Sequence, residues 1–255
     1  MATIKEIKER LVTVQNVNDP YFLALADDSR AGVQKLLRQK EKALQKVAEQ
    51  RLAFQKRFSL ENELWQSGKQ FVAGIDEVGR GCLAGPVVTA AVVLDDRFDL
   101  VGVNDSKQLS LKLRESLYAQ ILSEAVSVGI GVRSNQQIDQ MGILNATKAA
   151  MNDAISHLNV TPEHLLIDAV QVPTSIPKTV MYKGDAKSIS IAAASIVAKV
   201  YRDHLMRSYN KIYPGYGFDQ NVGYGTKQHL EGLKVLGVTP LHRLTFEPVP
   251  EFVRQ

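Results

Sequence analysis

The strongest constraint on this chain is a set of short apolar runs beginning at Phe71, two of which end in an acid. Phe71-Val-Ala-Gly-Ile-Asp76 comes first, followed by Pro86-Val-Val-Thr-Ala-Ala-Val-Val-Leu94. Val126-Ser-Val-Gly-Ile-Gly-Val-Arg133 alternates by two, and Leu165-Leu-Ile-Asp168 and Thr179-Val-Met-Tyr182 are shorter still. Compact β-branched runs of this kind read as strands. Helical patterns occupy Ser110–Glu124 and Gln136–Leu158, and a longer helix is expected from about Ser188, where Ile189, Ala193, Ile196 and Val200 form one stripe. Its Ala192-Ala193-Ala194-Ser195 segment has side chains small enough to approach a sheet closely. Strands first, then strands alternating with helices, predict an α/β fold: a mixed β-sheet flanked by helices.

Ahead of this body the chain changes character. Residues 1–70 carry 13 basic and 9 acidic side chains, whereas residues 71–255 carry 18 of each. The whole surplus of +4 therefore belongs to the leader. Thr3-x-x-Glu6 is a candidate capping box before Ile4, Ile7, Leu11 and Val14 at helical spacing, and Asn16 to Pro20 interrupts that helix. A second helix is expected from about Ser29 to Phe58, with Val33, Leu37, Leu44, Val47, Phe54 and Phe58 on its apolar stripe and Lys35, Lys42, Lys46 and Lys56 largely off it. The division is expected near Ser67-Gly68, giving a basic helical N-terminal extension over 1–68 and a second domain over 69–255. Such a helix reads as a solvated amphipathic element packed on the body, as a grip for a phosphate backbone, whose counterions it would release, or, third in order, as a membrane-surface or partner helix.

Composition narrows the function classes. No stretch approaches the roughly 18 apolar residues of a membrane span, so an integral membrane protein is excluded. The N-terminus lacks the apolar segment of a secretory signal. A single cysteine, Cys82, excludes an intramolecular disulfide framework and a multi-thiolate zinc site. A cytoplasmic location is the expectation.

Asp76-Glu77 ends an apolar strand and enters Val78-Gly79-Arg80-Gly81; Asp168 ends Leu165-Leu166-Ile167; Asp185 follows another short strand within Lys183-Gly184-Asp185. Acids at strand ends beside glycines are placed to converge on one pole of a sheet. Two like charges about 4 Å apart repel by about 4 kcal/mol at an effective dielectric near 20. Four such groups suggest a divalent cation, and oxygen-only donors favour Mg²⁺ or Mn²⁺ over zinc. The plainer alternative is that Asp168 and Asp185 cap turns while Glu77 is solvated.

Gly74-Ile-Asp76-Glu77-Val-Gly79-Arg80-Gly81-Cys-Leu-Ala-Gly85-Pro86-Val resembles the opening motif of type 2 ribonucleases H, in the manner of bacterial ribonuclease HII. The resemblance continues in family order through Asn104-Asp-Ser106-Lys107-Gln-Leu109, Leu166-Ile-Asp168, Lys183-Gly-Asp185-Ala-Lys-Ser188, Ile191 to Asp203, and Gly223-Tyr224-Gly225-Thr226-Lys227-Gln-His229. It implies a ribonuclease H-like fold and a catalytic, metal-binding set of Asp76, Glu77, Asp168 and Asp185. Two divalent ions, Mn²⁺ or Mg²⁺, are expected during catalysis, with Asp76 as the central ligand. The implied reaction is in-line attack of water on phosphorus, leaving a 5′-phosphate and a 3′-hydroxyl. Cys82 stands where family members usually carry proline, and the chemistry has no use for it as a nucleophile.

The resemblance also assigns substrate binding to Gly79, Arg80, Gly81 and Tyr224, with Ser106 and Lys107 on the DNA-strand backbone. Glycines let backbone groups come close to a ribose 2′-hydroxyl, and an aromatic ring can pack on the next, deoxy sugar. The implied partners are RNA–DNA hybrids and duplex DNA with embedded ribonucleotides, in the setting of ribonucleotide repair, with a monomer as the expected state. Read alone, Tyr224 is a tyrosine in a glycine turn, Arg80 a structural or solvated arginine, and His229 a packing or capping residue. Two rivals remain: a type 3 ribonuclease H, which lacks the Gly-Arg-Gly reader, and a non-catalytic hybrid-binding protein, against which the four intact acids argue.

Overall fold

The computed structural model of the protein describes residues 2–104, 106 and 109–253, and the chain forms two compact units, Met1–Lys56 and Arg57–Gln255. In the first, the Thr3–Glu6 capping box is present at the start of α1 (Ile4–Leu11). Asp19 caps α2 (Pro20–Ala24), with Pro20 at the first helical position. The third helix, α3 (Ala31–Arg57), completes a small core of Ile7, Leu11, Val14, Leu25, Val33 and Leu37. Val47 departs from the expected stripe, being 59 % exposed. Helix length explains it: 8 residues of α1 span about 12 Å and 27 of α3 about 40 Å, so α1 covers only part of its partner. From Glu41 to Ala53 every residue except Leu44 is exposed, Lys42, Lys46 and Arg51 among them.

The second unit contains α4 (Ser59–Gln66), β1 (Val72–Val78), β2 (Val87–Val93), α5 (Leu111–Glu124), β3 (Ser127–Arg133), α6 (Asn135–Met141), α7 (Ile143–Ser156), β4 (His164–Asp168), β5 (Lys178–Met181), α8 (Ile189–Ile212), α9 (Phe218–Asn221) and α10 (Lys227–Leu236). Each strand lies where an apolar run predicts one. The helix expected over 136–158 is instead two, because Gly142 takes φ 78°, a left-handed conformation that ends α6 and starts α7 in a new direction.

The sheet runs β3-β2-β1-β4-β5, antiparallel from β3 to β1 and parallel from β1 to β5. On one face Ala73, Ile75, Leu165 and Ile167 pack with Met151 and Ala154 of α7. On the other, Val72 and Leu166 pack with Ile191 of α8, flanked by Leu60, Leu64 and Trp65. A Cβ on Gly74 would overlap the backbone of Ser190 and Ile191, so glycine sets how closely α8 approaches the sheet. Alternation along the strands then puts Asp76 and Asp168 on the α8 face. A second core of Leu83, Ala84, Met206, Tyr216, Phe218, Leu233 and Val249 underlies the C-terminal segment.

Candidate active site

Ile75 of β1 stands opposite Ile167 of β4 in a parallel pair, so Asp76 and Asp168 leave adjacent strand ends side by side. Asp76 is buried. Burial, then the charges of Glu77 and Asp168, hold its carboxyl well above the usual carboxylate range, against a hydrogen bond from Ser195 and one from the Glu77 backbone N–H. The latter bond is 2.7 Å long. Glu77 pairs with Arg80 at 3.1 Å.

Asp168 accepts a hydrogen bond from the Gly184 N–H at 2.9 Å, which ties β4 to the 3₁₀ turn Gly184–Ala186 that carries Asp185. Ser188 closes this turn and caps α8, accepting from the Ile191 N–H at 3.1 Å. Glu61 of α4, fully buried, holds the same corner. Its Oε1 accepts from the Ser188 hydroxyl at 2.5 Å, the Ser190 hydroxyl at 2.6 Å and the Ser190 N–H at 3.0 Å. Arg57 lies in the field of Asp185; burial pulls its guanidinium below the ordinary arginine value while that negative charge opposes the shift.

The four acids thus lie at or beside one pole of the sheet and supply oxygen donors only. Among the described residues no three His, Cys, Asp or Glu side chains are drawn tightly enough together to form a finished metal cage. A buried carboxyl burdened by two neighbouring negative charges nevertheless fits a hard divalent cation, which removes the repulsion that raises Asp76.

The loop after β1 forms the second part of the site. Gly79 takes φ 90°, and a Cβ there would overlap the Arg202 guanidinium. Arg202 donates to the carbonyls of Pro86 (2.9 Å), Val222 (2.7 Å) and Ala84 (3.1 Å). Arg243, also fully buried, donates to Gly79 (2.6 Å), Arg80 (2.8 Å) and Gly85 (3.0 and 2.9 Å). Burial pushes Arg243 down to about 10. The two guanidiniums bind the Gly-Arg-Gly loop to the strand end on one side and to the Tyr224 segment on the other. A Cβ on Gly81 would meet the Tyr224 ring at 3.9 Å, and Tyr224 as a whole is 44 % exposed. Burial and neighbouring Cys82 raise the Tyr224 hydroxyl above its usual value.

Asp76, Glu77, Asp168 and Asp185 are therefore gathered in one region, and Gly79, Arg80, Gly81 and Tyr224 in a contiguous loop pair beside it. Ser106 is buried, its hydroxyl 3.0 Å from that of Ser195 and its carbonyl held by Arg114 at 2.7 Å. Lys107 lies outside the described residues. Lys199 is engaged with Asp203 at 2.8 Å. Sequence reasoning missed Glu61 and Arg243, whose partners are remote in the chain, and His242, whose partners Thr239 and His229 lie 3 and 13 positions away.

Comparison with known proteins gives the family. The family profile described as Ribonuclease HII matches residues 73–249, and that of the Ribonuclease HII N-terminal domain matches residues 3–65. Ribonuclease HII of Pediococcus pentosaceus is 70 % identical over 253 residues, 99 % of either chain. The chain belongs to the ribonuclease HII family. Ribonuclease HII of Limosilactobacillus reuteri is 55 % identical over 98 % of both chains. Among solved structures, the ribonuclease H2 from Pyrococcus horikoshii OT3 superposes with a TM-score of 0.62 at 26 % identity, covering 71 % of this chain and 96 % of its own. As a member of the ribonuclease HII family the protein is a phosphodiester hydrolase with a ribonuclease H-like fold.

Proposed function

We propose that this ribonuclease hydrolyses the RNA strand of RNA–DNA hybrids and incises 5′ of single ribonucleotides embedded in duplex DNA. The observation that carries the reading is the joining of two features: buried Asp76 beside Asp168 at one pole of the sheet, and the Gly79-Arg80-Gly81 loop with the Tyr224 ring on Gly81.

Asp76, Glu77, Asp168 and Asp185 would hold two divalent ions, Mg²⁺ or Mn²⁺, whose chemistry is to activate the attacking water and stabilise the leaving 3′-oxygen. The chain's own part is positioning. Ser195 fixes the Asp76 carboxyl, the Gly184 N–H fixes Asp168, and Arg80 holds Glu77. Gly79 and Gly81 keep the loop backbone free of side chains where a ribose 2′-hydroxyl is read, and the half-exposed Tyr224 offers its ring to the following deoxyribose. Ser106 and Lys107 are placed on the DNA strand in this reading. The N-terminal unit, with its exposed lysines on α3, serves as a grip on the duplex backbone.

The deciding experiment incubates the protein with duplex DNA carrying one ribonucleotide, with Mg²⁺, with Mn²⁺ and with chelator. Incision on the 5′ side that needs metal and leaves a 5′-phosphate supports the proposal. Failure of a folded sample to incise with either metal rejects it.

A further inference from the structure

Two fully buried histidines on the C-terminal side of the site have no part in the reaction described above. His229 opens α10 and His242 lies thirteen residues on. Their Nε2 atoms are 3.0 Å apart, so one must donate and the other accept. The ends of the chain of bonds decide which. The Thr239 backbone N–H, which can only donate, reaches His242 Nδ1 at 2.8 Å. A neutral His242 therefore carries its hydrogen on Nε2 and gives it to His229 Nε2. His229 then keeps its own hydrogen on Nδ1, where it meets the Tyr224 carbonyl, which can only accept, at 2.9 Å. Every bond runs in one direction, from Thr239 to Tyr224, and both tautomers are fixed.

We propose that the His229–His242 pair is a tautomer-locked relay that positions Tyr224 for reading the substrate. The proposal rests on the reading above that Tyr224 meets the substrate.

The surroundings suit a neutral relay. Tyr216 and Phe218 rings face both imidazoles, with centroids 5.1 to 6.2 Å away. The Tyr216 hydroxyl donates to the Gly237 carbonyl at 2.8 Å, and the Arg243 guanidinium is taken up by the Gly79, Arg80 and Gly85 carbonyls. Among the described residues no carboxylate hydrogen-bonds either ring. Burial lowers both imidazoles below the ordinary histidine value. Asn135 holds the far end, donating to the carbonyls of Pro240 (2.9 Å) and His242 (3.0 Å). At the near end the Tyr224 carbonyl also accepts from the Thr226 N–H at 2.8 Å, and the Tyr224 N–H donates to Asn221 at 2.9 Å. Arg202 holds the same turn one step earlier, at the Val222 carbonyl, while His229 bonds the Tyr224 carbonyl itself and ties it to the body of the C-terminal core. His229 is a positioning residue: it reaches the substrate only through Tyr224.

The test has three parts on the full chain. ¹⁵N spectra of histidine-labelled protein at pH 7.5 are expected to show His229 as the Nδ1–H tautomer and His242 as Nε2–H; any other pair of states overturns the relay. Next, two substitutions separate its halves. His229→Asn keeps an N–H near the place of Nδ1, toward Tyr224; His229→Gln keeps a polar group near Nε2, toward His242. Incision of single-ribonucleotide duplex is measured relative to cutting of long hybrid. The ratio should fall about tenfold in His229→Gln and stay within about threefold of the parent in His229→Asn, although both lower the melting temperature. Equal loss in the two variants, in step with stability, means a merely structural role and overturns the proposal. Finally, Tyr224→Ala checks the foundation. An unchanged ratio there rejects the substrate-reading role of Tyr224 and the positioning role with it; a fallen ratio there with an unchanged one in His229→Gln rejects the relay alone.

Discussion

Asp76 and Asp168 follow directly on the Ile75–Ile167 pair of two parallel strands and share the sheet face that α8 covers. Asp76 is buried there with Glu77 next in the chain, and burial together with the charges of Glu77 and Asp168 raises its carboxyl.

Neutralising Asp76 should therefore abolish activity while stabilising the metal-free fold. In the unfolded chain an aspartate titrates near 3.9. In the folded chain burial, then Glu77, raise it. Protonation thus favours folding: the contribution is complete below about 3.9 and is lost as pH rises through the folded value. Asp76→Asn, with chelator at pH 7.5, is expected to melt about 2–4 °C above the parent, the shift that about 1 kcal/mol produces in a domain of this size. Incision should be undetectable. Calorimetry with and without chelator checks it, and a lower melting point in the variant counts against the account.

The histidine pair acts in the opposite sense. Burial, then the neighbouring His229, push His242 from 6.5 down to about 4. The unfolded chain takes up a proton first, so the stability from a neutral His242 is present above about 6.5 and is lost as pH falls from there toward 4. At pH 5 the loss is about 2 kcal/mol, at 1.36 kcal/mol per pH unit. His242→Asn removes this titration. Urea midpoints at pH 7 and pH 5 should differ less in the variant than in the parent.

The carboxylates were legible because each ends a strand-like run or follows one, and strand ends are where an α/β sheet gathers its site. Gly79 and Gly81 were legible as a pair of glycines after an acid. Gly142 was not, since a lone glycine costs a helix only about 1 kcal/mol and apolar periodicity continues across it. Glu61 and Arg243 were hidden for another reason. Their partners are serines and backbone carbonyls 127 to 164 positions away, and a carbonyl has no sequence signature. The approach of the Ser106 hydroxyl to that of Ser195, 89 positions on, likewise has no sequence signature.

Glu61 makes a separate prediction. Its one oxygen accepts three bonds at the corner that presents Asp185. Glu61→Ala leaves both serines without that acceptor and should cost about 2–4 kcal/mol, with kcat reduced more than KM is raised. Glu61→Gln keeps an oxygen acceptor and should recover most of both losses. Denaturation midpoints with steady-state kinetics on hybrid substrate decide it; equal damage in the two variants would show that shape, not the acceptor, matters.

On the N-terminal unit, Lys35, Lys42 and Lys46 are exposed. If they grip a duplex, replacing all three by glutamine weakens hybrid binding at low salt. The slope of log affinity against log salt should flatten by about 0.9 for each phosphate that the variant no longer neutralises. Binding isotherms at several salt concentrations measure it, and an unchanged slope sinks the grip. Fold stability should barely move, because exposed lysines contribute little to it.

Arg243 offers the sharpest contrast between charge and shape. Its planar guanidinium serves three carbonyls at once, at Gly79, Arg80 and Gly85, and no acid among the described residues pairs with it. Lysine keeps the charge but is a point donor on a flexible stem and cannot span the three positions. Arg243→Lys should therefore still fold with a loss of about 1–3 kcal/mol. Its Gly-Arg-Gly loop is no longer held in register with Tyr224, so KM for single-ribonucleotide duplex rises about tenfold while long-hybrid cutting suffers less. Arg243→Ala leaves three carbonyls and a cavity and should lose soluble expression or melt far below the parent. A lysine variant with parental KM on both substrates would mean that the charge alone holds the loop.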